Sequence, residues 1–443
     1  MVNANVQIIE ELKAFLEIAV KDKSIRKLIT QSEKDFTRNR KLPLARIVAL
    51  IINMPKRSLC VEIQEFFASL DKGLESCTKG AFSLQRTKLD ALFFQAWNEF
   101  LVLCFYHFYG ENVKRWRGFL LQAVDGSTAY LVDKKEVIEY FGTQVNQHGS
   151  IPMARILQIQ DILNDITIRG AICPIIKSEQ AIMNGWVCNL NIDSITLFDR
   201  GFPSFALMYL MNNEETPRHF VMRCKTSFNK DVQQFMNSND TCRIIELRAT
   251  SDAKKTLYKH GYIVTSDTTT KVRIEKIKLD TGEIEVLLTN LYDEKLFTNK
   301  DLKYLYSLRW GIETTYSKQK NQQQMEQFSG HRVICIQQDY AAGIFVANLQ
   351  SIIEKQCEEY LNQISKKRKY RYKINRNVSW AALKFNIIKL FLCNDPHQIL
   401  IQLQKTFEKN IEPIRPGRQY PRIKNAKRLK GKYQTLTNYK RAI

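Results

Sequence analysis

The spacing of apolar residues changes twice along this 443-residue chain, and the changes limit the folds it can adopt. Helical spacing, as in Ile8, Leu12 and Leu16, continues to about residue 110. Short strand-like runs separated by turn residues follow from about 117 to 291, and helical spacing returns from about 299 to 360. Because the chain is about three times the length of an ordinary domain, we expect two or three domains, each with its own core.

Composition narrows the class of protein. A hydrophobic share of 44% with 25% charged residues is typical of a globular chain and excludes a mostly disordered one. The most apolar stretch, 91–109, contains four polar residues, so no membrane span is expected. The N-terminal sequence lacks the pattern of an export signal. Ten scattered cysteines show no zinc spacing, which favours free thiols in a reducing cytoplasm.

Positive charge predicts a polyanionic partner. The formal net charge is +22, and two segments carry much of it without acidic compensation. Seven basic residues with two interleaved tyrosines lie in 366–376, and ten lie in 413–443. Such segments bind nucleic acid phosphates, although a charge run can also be a solvated surface. The candidate DNA-binding residues here are Lys366, Lys367, Arg368, Lys369, Arg415, Arg418 and Arg422.

The N-terminal helices offer a second candidate DNA-binding region. Helices are predicted from near Pro43 to Pro55 and from near Ser58, with basic residues on their flanks. Short helices with a basic joint are typical of small DNA-reading domains, and equally of helical bundles that bind nothing. Both interpretations stay open.

Two aspartates follow buried strand-like runs. Asp125 follows the run 119–124, ahead of a further strand predicted at 128–132, and Asp199 follows 194–198. A glycine comes one or two residues later in each case, which would let a phosphate or metal approach the backbone. Each motif alone is also typical of an ordinary turn.

A third motif places four functional side chains on one helical face. At 100° per residue, Tyr306, Arg309, Glu313 and Lys320 project at about 0°, 300°, 340° and 320°. An i,i+4 ion pair between Arg309 and Glu313 would account for two of them, but not for Tyr306 or Lys320. For Trp310, burial in the helix packing is favoured over DNA stacking.

These motifs resemble those of IS4-type insertion-sequence transposases. The family signature is Tyr, two residues, Arg, three residues, Glu, six residues, Lys, and this chain has all four residues. The segments 124–128 and 198–202 are similar to the two acidic motifs that precede it. The family often has Tyr where this chain has Phe202, so any hydrogen bond from that hydroxyl is lost.

The resemblance implies an RNase H-like catalytic core with Asp125, Asp199 and Glu313 as the DDE triad. It implies an α/β fold with a β-rich insertion domain, an N-terminal helical domain and a basic helical C-terminal region. The corresponding predicted ranges are 1–112 (N-terminal helical, DNA-binding candidate), 113–204 (first segment of the core), 205–298 (insertion), 299–360 (second segment of the core, with the signature helix) and 361–443 (basic region).

The predicted function is cut-and-paste DNA transposition. Three carboxylates suit two Mg²⁺ ions, or Mn²⁺, that activate the attacking oxygen and relieve charge on the leaving one. Arg309 and Lys320 would bind phosphates and Tyr306 displaced DNA. The expected partners are double-stranded DNA (terminal inverted repeats and target) and a second subunit. The expected location is the prokaryotic cytoplasm, at the nucleoid.

Two alternatives stay open at the level of sequence. One is an RNase H-like nuclease that cuts DNA without strand transfer, and the other is a catalytically silent DNA-binding protein. For the homodimer, the apolar stripe 344–353 and the helix near 380–392 are candidate subunit contacts, with core packing as the alternative.

Overall fold

Two compact units make up the portion of the chain that the computed structural model describes, which is residues 1–416 apart from 39, 54–55, 71–74, 147–148, 280 and 393–394. One unit, here the helical unit, comprises residues 1–110 and the described residues from 317 onward. The other, the sheet unit, comprises residues 111–316.

The N-terminal region of the helical unit confirms the predicted helical spacing. The stripe of Ile8, Leu12 and Leu16 is buried. Pro43 and Ser58 immediately precede two of the helices, as the sequence predicts. The helices described in residues 1–110 are α1 (Val2–Lys21), α2 (Lys23–Ile29), α3 (Leu44–Ile52), α4 (Leu59–Ala68), α5 (Lys79–Arg86) and α6 (Leu92–Tyr109).

The sheet unit contains one mixed sheet, which confirms the predicted α/β class. Its strands are β1 (Leu120–Tyr130), β2 (Thr143–Asn146), β3 (Gly149–Asp161), β4 (Ile166–Pro174), β5 (Ser194–Phe198), β6 (His219–Cys224), β7 (Cys242–Arg248), β8 (Thr269–Lys278) and β9 (Ile284–Thr289). Its helices are α7 (Lys135–Phe141), α8 (Glu179–Asn184), α9 (Phe205–Asn213), α10 (Lys230–Asn237), α11 (Ser251–Lys259), α12 (Asn299–Leu308) and α13 (Trp310–Asn321), the last of which continues into the helical unit.

The strand order is β2-β3-β1-β5-β6-β9-β8-β7, and β4 pairs with β3. β5 is parallel to both β1 and β6, whereas the pairs β1–β3, β6–β9, β8–β9 and β7–β8 are antiparallel. The strands of the predicted insertion, 205–298, therefore extend the same sheet that contains β1 and β5. The domain boundaries themselves stay predictions.

One face of the sheet carries a large apolar core. Val124, Phe198 and Met222 lie in register on β1, β5 and β6, and all three belong to this core. Apolar residues of α8 to α11 pack with them. Because side chains alternate along a strand, the residue that follows each of these three projects to the opposite face.

The helical unit continues with α14 (Val333–Glu354), α15 (Glu358–Lys367), β10 (Arg371–Ile374), α16 (Arg376–Leu392), α17 (Pro396–Lys409) and β11 (Ile411–Ile414). β10 and β11 form an antiparallel pair, so the C-terminal region, which was predicted to be helical, also contains two short strands. A basic run can form a strand here because Arg371 and Lys373 of β10 are exposed while Ile374 packs inside.

α14 is the central helix of this unit and is buried almost all round. Trp97 of α6 stacks on Phe345, with ring centroids 4.1 Å apart. The predicted subunit stripe from Ile344 to Ile353 is buried inside this packing, so core packing is the correct interpretation. No helix in the described ranges is both long and apolar enough to cross a membrane.

Candidate active site

Parallel pairing of β1 with β5 brings Asp125 and Asp199 together. The last aligned pair is Val124 with Phe198, and the next residues are the two aspartates. Both project away from the apolar core. β1 continues along β3 to Tyr130, so the prediction of two short strands separated at Asp125 is wrong. The pairing of β1 with β5 ends at Val124 and Phe198. Asp125 and Asp199 are the next residues along the chain after this pair.

The Asp125 carboxyl lies in an environment that disfavours its charge. Burial raises its pKa to about 7. The positive charge of Arg309 opposes this shift, whereas Asp199 and Glu313 add to it. Its Oδ1 accepts a hydrogen bond of 3.0 Å from the Gly126 backbone N–H. Arg309, Asp199 and Glu313 thus all lie within electrostatic reach of Asp125.

The turn after β5 holds Asp199 in a compact loop. Its Oδ1 accepts a 2.7 Å hydrogen bond from the backbone N–H of Gly201. A Cβ on Gly201 would lie 3.0 Å from that same oxygen, so a larger residue would crowd the carboxylate. Phe202 is fully buried with its ring 5.5 Å from Phe198, which is the packing expected where the family often has Tyr.

The structure gives a different reason for a glycine at position 126 from the one that the sequence predicts. A Cβ at this position would lie 2.0 Å from the carboxyl carbon of Glu179, which packs on the core side of the sheet. Glu179 in turn pairs with Arg155 at 2.8 Å. The glycine therefore makes room for a half-buried ion pair on the face of the sheet opposite to Asp125.

The signature motif spans two helices rather than one. α12 ends at Leu308 and α13 begins at Trp310. Arg309 lies between them in helical conformation, with tightened i,i+3 hydrogen bonds on both sides. The prediction of one continuous helix is wrong in this detail, although the backbone keeps a helical conformation through Arg309.

Arg309 and Glu313 form the ion pair that their spacing predicts. Arg309 Nη2 lies 2.9 Å from Glu313 Oε1, and the Arg309 side chain is only 8% exposed. One turn later, the Tyr316 hydroxyl donates a 2.7 Å hydrogen bond to the backbone oxygen of Asp125. This contact fixes α13 to β1 beside the aspartates. Sequence reasoning missed Tyr316, and its only signal was the i,i+3 position relative to Glu313.

Tyr306 and Trp310 differ in exposure. Tyr306 is 9% exposed, and its hydroxyl has no hydrogen-bond partner within the described residues. Burial raises the pKa of this phenol to about 12. Trp310 is 53% exposed, so the interpretation of it as a buried helix residue is wrong.

The other predicted DNA-binding residues lie in the helical unit. Lys320 is in the last turn of α13, 3.7 Å from Glu326. Lys366 and Lys367 end α15, and the neighbouring Arg368 and Lys369 lie over tyrosine rings. Arg415 is exposed after β11, while Arg418 and Arg422 lie outside the described residues.

The described residues contain no group of three or more His, Cys, Asp or Glu side chains arranged to hold a metal ion. In this conformation Glu313 is directed to Arg309. The structure thus brings the two aspartates together and leaves the third carboxylate paired with a cation.

Comparison with known proteins shows what the central segment is similar to. A family described as "Transposase DDE domain" matches residues 188–349, a range that contains Asp199 and Glu313 and begins after Asp125. This segment of the chain is therefore similar to a transposase DDE domain.

Two curated relatives from Escherichia coli K12 agree. The chain is 28% identical to a putative transposase, InsZ, over 110 residues, which is 24% of this chain and 37% of the relative. It is 22% identical to transposase InsG of insertion sequence element IS4 over 211 residues, 47% of this chain and 46% of the relative. The matches span less than half of either relative. They confirm the resemblance to IS4-type DDE transposases.

A solved structure, the piggyBac transposase synaptic complex with hairpin DNA, is also similar. The match covers 91% of this chain and 81% of the other, with 10% identity and a TM-score of 0.40.

Proposed function

We propose that this protein is a DNA transposase that cleaves and joins DNA at the ends of an insertion sequence, with Asp125, Asp199 and Glu313 as its acidic triad. The observation that carries the proposal is the register of β1 and β5. It puts two carboxylates side by side, while Tyr316 fixes the helix of Glu313 to the Asp125 backbone. An RNase H-like core is the architecture we assign to this arrangement.

The donor set fits a hard divalent cation. Asp125 is half-buried, and the negative charges of Asp199 and Glu313 add to the upward shift of its pKa. A cation held by the three carboxylates would remove that unfavourable interaction. Mg²⁺, with Mn²⁺ as a substitute, is the ion of choice for oxygen ligands, and we propose two ions. Bound there, they would supply activation of the attacking oxygen and charge relief at the leaving oxygen.

The residues of the chain itself have separate tasks in this proposal. Arg309 uses Nη2 to hold Glu313, and its Nε has no hydrogen-bond partner within the described residues. A buried guanidinium with an N–H group that has no partner can form a strong hydrogen bond to a phosphate oxygen. Lys320 would bind a second phosphate, and the Tyr306 hydroxyl would donate to displaced DNA. The basic residues of 366–369 and 415–422 would add salt-dependent affinity for duplex DNA.

A plasmid assay tests the function. A supercoiled plasmid carrying the DNA that flanks the gene would be incubated with the full-length protein and Mg²⁺. Excised and joined products support transposition. Nicks or breaks without joining would indicate a nuclease, and a gel shift without cleavage would indicate a DNA-binding protein.

We further propose that the active species is a homodimer on DNA, acting in the prokaryotic cytoplasm at the nucleoid. Two DNA ends must be cut and joined at neighbouring target positions, which one acidic triad cannot do in concert. Light scattering with and without end DNA should show dimers on DNA, and cleavage should rise with the square of protein concentration. Full cleavage of one isolated end by a monomer would contradict this.

A further inference from the structure

Arg223 occupies the position on β6 that corresponds to Asp125 on β1 and Asp199 at the end of β5. β6 runs parallel to β5, and their last aligned pair is Phe198 with Met222. The residues that follow are Asp199 and Arg223, so both project to the same face of the sheet. At this level of the sheet, the side chains on β1 and at the end of β5 are therefore acidic and the side chain on β6 is basic. No motif in the sequence singles out Arg223.

Glu285 on β9 orients the Arg223 side chain. Arg223 aligns with Leu287 across the antiparallel pair, and Glu285 lies two residues along β9 on the same face. Arg223 Nη2 and Glu285 Oε1 are 2.7 Å apart. The Glu285 side chain is 11% exposed, whereas Arg223 is 35% exposed. The Glu285 side chain is thus largely buried, while part of the Arg223 side chain remains exposed.

Tyr306 supplies an independent sign of a missing ligand at this place. Its hydroxyl is buried and has no hydrogen-bond partner among the described residues. A buried hydroxyl without a partner is costly, which points to a group that is absent from the free protein. The charges that act on this phenol include Arg309 and Arg223. Glu285 and Asp199 act on it as well.

We propose that Arg223, oriented by Glu285, binds a DNA backbone phosphate next to Asp199, and that the Tyr306 hydroxyl donates a hydrogen bond to the same phosphate. This inference rests on the proposed function, since it assigns a substrate contact in the same site. Arg309 and Arg223 are then two cationic groups that act on Tyr306. Glu285 is a positioning residue, because it acts through Arg223. The competing explanation is an ion pair that only stabilises the sheet.

The test compares Arg223→Gln, Arg223→Lys and Glu285→Gln in the full chain. Arg243→Gln is the matched control, because Arg243 is a similarly exposed arginine paired with Asp240 on the edge strand β7. The probe is a short duplex copied from the DNA that flanks the gene. Its dissociation constant would be measured against salt concentration without divalent metal, and its cleavage separately with Mg²⁺. Thermal unfolding of each variant shows whether it is folded.

Loss of one phosphate contact flattens the log–log salt dependence by about 0.9. We expect this for Arg223→Gln, partial rescue of affinity by Arg223→Lys, and no change for Arg243→Gln. Glu285→Gln should keep the salt slope, because the charge at position 223 remains, and should cleave more slowly. A wild-type slope with wild-type cleavage in Arg223→Gln would overturn the inference. A flattened slope with a wild-type protein that never cleaves would support the phosphate contact and reject the proposed function.

Discussion

Replacing Asp125 with Asn should stabilise the metal-free protein, and the gain should depend on pH. In the unfolded chain this carboxyl ionises near its ordinary pKa of 3.8, whereas burial in the folded protein raises the pKa to about 7. Ionisation therefore opposes folding at pH values above 3.8. The opposition grows up to about pH 7 and is constant above it. Asparagine has a similar shape and no charge to bury.

The size of the effect follows from the two pKa values. Their difference, at about 1.36 kcal/mol for each pH unit, gives an upper limit of about 4 kcal/mol. Because the Asp125 side chain is partly exposed, solvent screening reduces this to about 2 kcal/mol. In a unit of this size that corresponds to roughly 4–8 °C in Tm.

Thermal unfolding in EDTA at pH 4 and at pH 8 measures the stability difference between Asp125→Asn and the wild type. Asp125→Asn should match the wild type at pH 4 and exceed it at pH 8, while Asp133→Asn, an exposed aspartate of the same unit, should show no such difference. Adding Mg²⁺ at pH 8 should raise the Tm of the wild type more than that of Asp125→Asn. A difference between Asp125→Asn and wild type that is the same at both pH values would refute the reasoning.

Two further predictions concern the helical unit and the C-terminus. Arg86→Met should lower the free energy of unfolding in urea by about 3–5 kcal/mol, because it leaves Asp339, paired with Arg86 at 2.7 Å and 6% exposed, as a buried unpaired charge. The double variant Arg86→Met/Asp339→Leu should recover most of that loss, and equal losses in the single and double variants would contradict the argument. Truncation after Pro416 removes nine basic residues and should weaken DNA binding and flatten its salt dependence. An unchanged salt slope would show that this segment does not contact phosphates.

Much of the fold could be predicted from local patterns. The buried run 194–198 forms β5 as predicted, and the strands at 272–279 and 284–289 form the antiparallel pair β8–β9. These predictions succeeded because alternation and turn residues act within a few positions of one another. The pairing of β1 through Asp125 could not be read in the same way. Antiparallel pairing with β3 keeps the strand regular to Tyr130, although the run of apolar residues ends earlier.

The candidate site was predictable where a motif is continuous in sequence. The Arg309–Glu313 pair follows from their i,i+4 spacing. Tyr316, Arg223 and Glu285 were not predictable, because their roles come from contacts across strands and helices that are far apart in the chain. Trp310 was misjudged because its exposure depends on what packs around α13, and a helical wheel does not contain that information.

The central claim is that Asp125, Asp199 and Glu313 act together as the acidic triad. The most direct test is Mg²⁺-dependent cleavage of end DNA by Asp125→Asn, Asp199→Asn and Glu313→Gln, with DNA affinity measured in parallel and Asp133→Asn as the control. Residues that act as a unit lose nearly all activity when any one is removed. We predict that each of the three variants loses cleavage and keeps its affinity for DNA, while Asp133→Asn cleaves like the wild type. Normal cleavage by any one of the three would contradict the account and remove that residue from the triad.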